Sequence, residues 1–83
     1  MGISGNLGDK EIDDYSRKLS ERIKNLRIEK GYSSAEDFAY KAGIGRVQYW
    51  RYEKNESDIR FSSLIKVLHG LDISLKDFFS KGF

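Results

Sequence analysis

The sequence has no cysteine, a single histidine, and no apolar run near the roughly 20 residues that span a bilayer. Without cysteine there is no disulfide to staple a small core and no Cys/His cluster to hold zinc. A cysteine-free chain is compatible with a reducing cytoplasm. The start, Met1 to Gly5, lacks the basic and apolar regions of a signal peptide. A cytoplasmic location with no membrane partner is therefore expected. His69 has no acid and nucleophile arranged around it, which leaves no catalytic case. No glycine-rich phosphate loop, paired-carboxylate motif or metal-ligand spacing occurs either. No enzyme activity, catalytic residue, cofactor or metal is expected.

What the chain does have is enough for one small domain. Eighty-three residues bury only about 60–65% of their unfolded surface. The net charge is a mild +2, but it is unevenly spread. Residues 1–16 carry four acids and one base, and residues 17–66 carry twelve bases and seven acids. A basic segment on a mildly charged chain fits a polyanionic partner. A salt-bridged surface would look the same by count alone.

Residues 1–8, rich in glycine with serine and asparagine, have no periodicity and are expected to be disordered. The folded domain is expected over 9–80, with 81–83 as a short tail. Asp9 is a plausible N-cap. Ile12, Tyr15, Leu19, Ile23 and Leu26 then recur at steps of three and four. They mark one long amphipathic helix to about Lys30, stopped by Gly31. Its first two turns can pack back onto the domain or onto a second subunit, and the domain is favoured. Ser33 and Ser34 with Glu36 and Asp37 form a capping box, so a second helix starts near Ala35 and ends near Ala42.

Gly43-Ile44-Gly45 separates that helix from a third, about Arg46 to Lys54. Two helices around a tight glycine-containing turn make the helix-turn-helix plan. Gly43 supplies the positive φ such a turn needs. At 100° per residue, Tyr49, Tyr52 and Glu53 share one face of the third helix. Val47, Trp50, Arg51 and Lys54 share the other, flanked by Arg46 and Gln48. Long cationic, amide and apolar side chains on one face are what a major-groove reader uses. Arg46, Val47, Gln48 and Arg51 are the candidate base readers. Tyr49 and Tyr52 are expected in the core. Trp50, large and facing away from it, has three roles open: covering the following loop, lying on sugar-phosphate, or meeting a partner.

A polar loop from Asn55 leads to Arg60, placed where a cation and helix-start N–H groups grip phosphate. Lys54 and Lys41 join it as candidate phosphate contacts. A fourth helix is expected to bury Phe61, Leu64, Ile65 and Leu68, with Gly70 and Asp72 allowing a turn. Ser74 then caps a fifth helix with Asp77 three residues on. Leu75, Phe78 and Phe79 are its apolar face. Phe83 either contacts a partner or frays.

From about Leu19 to Phe79 the chain resembles the phage-repressor and Cro (lambda repressor-like) family of helix-turn-helix domains. Ile23, Leu26, Arg27 and Gly31 match its first helix, and Phe38-Ala39 and Gly43-Ile44 its turn-flanking core. Arg46 to Glu53 match its recognition helix, and Leu64, Leu68, Leu71, Ile73, Ser74, Leu75 and Phe78-Phe79 its last two helices. The resemblance implies an all-α, five-helix domain, here with an extended first helix. It also implies a partly buried ion pair between Arg27 and Glu53. Ala35 stands where many members hold a phosphate-binding Gln, and Asn55 where they have Gly. The implied function is sequence-specific binding of double-stranded DNA by a transcription regulator, by family habit a repressor. Such a small domain is expected to work as a homodimer on a two-fold operator. The alternative is an antitoxin that binds a protein partner and regulates its own promoter.

Overall fold

Five α-helices, with no strand among the described residues, make up the computed structural model, which describes residues 8–83. They are α1 (Asp9–Glu29), α2 (Ala35–Ala42), α3 (Arg46–Glu53), α4 (Phe61–Leu71) and α5 (Leu75–Phe79). The disorder expected of residues 1–8 falls outside the described residues except at Gly8. Gly8, not Asp9, is the N-cap of α1. Asp9 lies one residue inside, where with Glu11 it meets the positive end of the helix dipole instead of closing a side-chain cap. Ser34 and Ser74 cap their helices as expected, each through the serine half of the box. Ser34 Oγ accepts from the Asp37 N–H at 3.2 Å, and Ser74 Oγ from that of Asp77 at 3.0 Å. Asn55 and Asp72 take the left-handed conformation at φ 56° and 55°. Both are residue types that tolerate it.

The core gathers Ile23 and Leu26 of α1, Phe38, Ala39 and Ala42 of α2, and Tyr49 and Tyr52 of α3. Leu64, Val67, Leu68 and Leu71 of α4 and Phe78 of α5 complete it. Phe38 is the hub: its ring centroid lies 5.2 Å from both Tyr32 and Tyr49. Three expectations need correction. First, α4 turns its Leu64–Val67–Leu68–Leu71 arc inward and leaves Phe61 and Ile65 exposed. Both arcs are apolar at helical spacing, so periodicity alone did not choose between them. Second, Gly70 sits in the last turn of α4, not in the loop. Only Asp72 makes the turn. Third, the start of α1 does not fold back on the domain: Ile12 and Tyr15 stay exposed, and packing begins at Leu19.

Gly70 is glycine because Phe38 passes over it. A Cβ there would lie 3.1 Å from Phe38 Cζ and 3.2 Å from Cε1. Alanine would gain about 1 kcal/mol of helix propensity. It would lose about 1–3 kcal/mol to overpacking, because Phe38 is itself held on two sides by tyrosines. Gly70→Ala is therefore expected to be destabilised by about 1 kcal/mol. A thermal melt checks this; a raised melting temperature would show that Phe38 has room to retreat.

Candidate nucleic-acid interface

Gly43 closes α2 in the left-handed conformation, at φ 74°. Its N–H reaches the Tyr40 carbonyl at 3.2 Å, and the Ile44 N–H reaches that of Ala39 at 3.0 Å. The chain then re-enters a helix at Arg46. Tyr49 and Tyr52 anchor the inner face of α3, as expected. Below them lies the expected ion pair. Arg27 Nε donates to Glu53 Oε2 at 2.6 Å and Nη2 to Oε1 at 3.1 Å. Its Nη1 donates to the Tyr32 carbonyl at 2.7 Å, and the Tyr49 hydroxyl donates to Glu53 Oε2. Both charged side chains are only 6% exposed. The Arg27–Glu53 pair thus ties α1, α3 and the loop after α1, which fixes the pitch of α3.

The cluster shifts two titrations. The hydrogen bond to Glu53 raises the Arg27 pKa, outweighing the opposing effect of burial. Burial first, then the Glu53 contact, raises that of Tyr49 far above its ordinary 10.0. A raised folded-state pKa keeps its stabilisation below the unfolded value and loses it as pH rises beyond. The fold should therefore weaken above about pH 10, as the unfolded phenol ionises and the folded one cannot. Tyr49→Phe is expected to melt lower than the parent at neutral pH, by about 1.5–3 kcal/mol for a hydrogen bond to a charged group. Its curve should converge on the parent's as pH rises; parallel curves would contradict the assignment.

The opposite face of α3 is open. Val47 is 58% exposed and Trp50 47%, and Arg46 and Arg51 project beside them. Lys54, at the C-cap, holds its Nζ 5.2 Å from the Trp50 ring centroid. Ala35, Glu36, Arg46, Val47 and Trp50 line a shallow, mostly apolar recess of about 420 Å³. Arg46 stands 3.7 Å from Glu36 across it, and both are largely exposed. Such a pair contributes little and releases easily. Gln48 is half-buried: its Nε2 donates to Ser57 Oγ at 3.1 Å. Gln48, Ser57 and Arg60, the N-cap of α4, line a second recess on the other flank of α3. Lys41 is not with either group. It borders a separate groove with Lys30, His69 and Asp72.

Three partners were missed in the sequence. Glu36 facing Arg46 and Ser57 holding Gln48 lie too far along the chain for helical spacing to pair them. Arg22 donates to the carbonyls of Phe78 and Asp77 and fastens α5 to α1. No local pattern marks that contact.

The helix-turn-helix family model matches residues 23–78. Control protein C.MunI of Mycoplasma sp is 30% identical over 69 residues, 83% of this chain and 93% of that one. The crystal structure of the wild-type restriction-modification controller protein C.Esp1396I superposes with a TM-score of 0.72. It is 36% identical, over 77% of this chain and 83% of that one. Another structure shows C.Esp1396I as a tetramer in complex with its natural 35 base-pair operator. The controller protein C.AhdI from Aeromonas hydrophila gives a TM-score of 0.73 at 26% identity, over 78% of this chain and 97% of that one. These relatives are regulators, not enzymes, and they lend the antitoxin alternative no support. Among the described residues no helix is long and apolar enough to cross a membrane. A left-handed Gly43 turn, an α3 pinned by Arg27 and Glu53, and an open cationic face agree with the comparisons: the chain belongs to the phage-repressor-like helix-turn-helix family of DNA-binding transcription regulators.

Proposed function

We propose that the chain controls restriction-modification genes by binding a two-fold operator as a homodimer, acting as a repressor in the bacterial cytoplasm. The observation that carries this is the open face of α3, held at a fixed pitch by the buried Arg27–Glu53 pair. The controller relatives, one of them crystallised on its operator, support it. Arg46 and Arg51 have the reach and fork geometry for guanine O6 and N7. Val47 and Trp50, beside Ala35, form an apolar recess suited to a thymine methyl. With one Nε2 N–H committed to Ser57, Gln48 keeps its carbonyl oxygen and a second N–H for a base, and its position is set by that serine. Lys54 and Arg60 hold phosphates, Arg60 together with the N–H groups opening α4. Lys41, on the other flank of α2, is outside this set.

Selection of bound duplexes from random DNA tests the reading. It should return paired half-sites about one helical turn apart, each with guanine beside thymine. A single asymmetric site, or no enrichment, would overturn it. On the selected site, Lys54→Ala and Arg60→Ala should each flatten the log–log salt dependence by about 0.9 per lost contact, hence about 1.8 per dimer. Base preferences should stay unchanged. An altered base preference would reassign that residue to the reading set.

A further inference from the structure

Arg46 and Gln48 flank the outer face of α3, and the fold treats them differently. Arg46 meets Glu36 at 3.7 Å, with both side chains more than 60% exposed. Gln48 is half-buried, and its Nε2 donates to Ser57 Oγ at 3.1 Å. The serine stands on a fixed piece of chain. The loop leaves α3 through Asn55, left-handed at φ 56°, and the Glu56 N–H reaches back to the Arg51 carbonyl at 2.9 Å. Two residues beyond Ser57, Ile59 packs against the core, and Arg60 then caps α4. A hydroxyl tied down on both sides therefore braces the Gln48 amide from behind. Fixing one long side chain in advance is worth about 2–13-fold in affinity, because binding no longer has to freeze it.

The brace also bears on which base is read. Glutamine reads adenine with one edge of its amide: Oε1 accepts from N6–H, and the N–H on the same edge donates to N7. The other N–H turns back toward the side chain's own stem. An acceptor on the protein that takes this back N–H leaves the reading edge whole and points it outward. Turned the other way, with Oε1 on the Ser57 hydroxyl, the amide would present donors only. Those suit the N7 and O6 acceptors of guanine.

We propose that Ser57 is a positioning residue for base recognition: it takes the back N–H of Gln48 and presents the amide edge to an adenine in the major groove. The proposal rests on α3 being the reading helix. It adds a residue that touches no base and a base that the Gln48 position selects.

The test compares Ser57→Ala, Gln48→Ala and the double variant. Each is titrated with the selected operator and with duplexes carrying every other base at the position whose preference Gln48→Ala erases. Ser57→Ala should cut the preference for adenine there at least about fivefold over two half-sites. It should bind unrelated DNA as the parent does, which also shows that the chain is folded. The double variant should match Gln48→Ala alone, since the serine acts only through the glutamine. Replacing the adenine by 7-deazaadenine, which lacks the N7 acceptor, should weaken the parent more than the Ser57→Ala chain. Full adenine preference in Ser57→Ala, losses that add in the double variant, or guanine at the Gln48 position would overturn the proposal and leave α3 as the reading helix. A Ser57→Ala loss equal for every base would make the serine a phosphate contact and overturn it as well. A Gln48→Ala chain with every base preference intact would instead remove Gln48 from the readers, and this inference with it.

Discussion

Glu53→Gln is expected to lower the melting temperature by more than about 10 °C. Removing one partner of a buried ion pair costs about 3–5 kcal/mol, and each kcal/mol moves the midpoint of a domain this size by about 4–8 °C. The carboxylate accepts from Arg27 Nε, Arg27 Nη2 and the Tyr49 hydroxyl. An amide keeps one acceptor and turns an NH₂ toward a donor. The Arg27 guanidinium, on a residue only 5% exposed, keeps its charge and loses its counter-ion. The loss therefore measures an unpaired charge and not the net worth of the pair. A triple variant separates the two: Glu53→Leu, Arg27→Met and Tyr49→Phe together remove every polar side chain of the cluster and leave only the Tyr32 carbonyl without its donor. It should recover most of the stability lost by Glu53→Gln, as apolar replacements of whole buried pairs do. A Glu53→Gln melt equal to the parent's would show that the carboxylate anchors nothing.

Arg51→Ala should weaken binding to the selected operator by at least about 30-fold. A bidentate arginine–guanine contact discriminates by about 1–3 kcal/mol, and a dimer loses it in both half-sites. Binding to unrelated DNA should fall far less, because there the residue supplies only charge. Preference at one position per half-site should relax accordingly. Arg46→Ala should do the same at a different position, after its loose pair with Glu36 has opened. Equal losses on specific and unrelated DNA would move these arginines to the phosphate-holding group.

The parts of this fold that were legible in the sequence are those governed by local chemistry. Ser34 with Asp37, and Ser74 with Asp77, are capping pairs three residues apart, and both formed. Gly43 was required by the turn and took its positive φ. The division of α3 into a tyrosine face and a cationic face followed from 100° per residue alone. The Arg27–Glu53 pair was legible only through family resemblance, because 26 residues of chain separate its members. What could not be read depends on which of two acceptable surfaces finds a partner. In α4, Phe61 and Ile65 offer an apolar arc as regular as the one buried, and only the packing of the other helices decides between them. Gly70 looks like a turn residue until the ring above it is known. Gln48 looks like a free reader until Ser57, across the loop, takes its amide. Ile12 and Tyr15 continue the core stripe, but the domain ends before it reaches them.

Trp50, the only tryptophan in the chain, lies on the proposed reading face between Val47 and Lys54 and reports directly on that surface. Its accessibility to acrylamide should be measured while the selected duplex is titrated in, with binding followed separately by anisotropy of a labelled strand. If α3 lies along the groove, quenching must fall in step with saturation. If saturation is reached while Trp50 stays as accessible as in the free protein, the duplex is held by some other surface and the assignment of α3 is wrong.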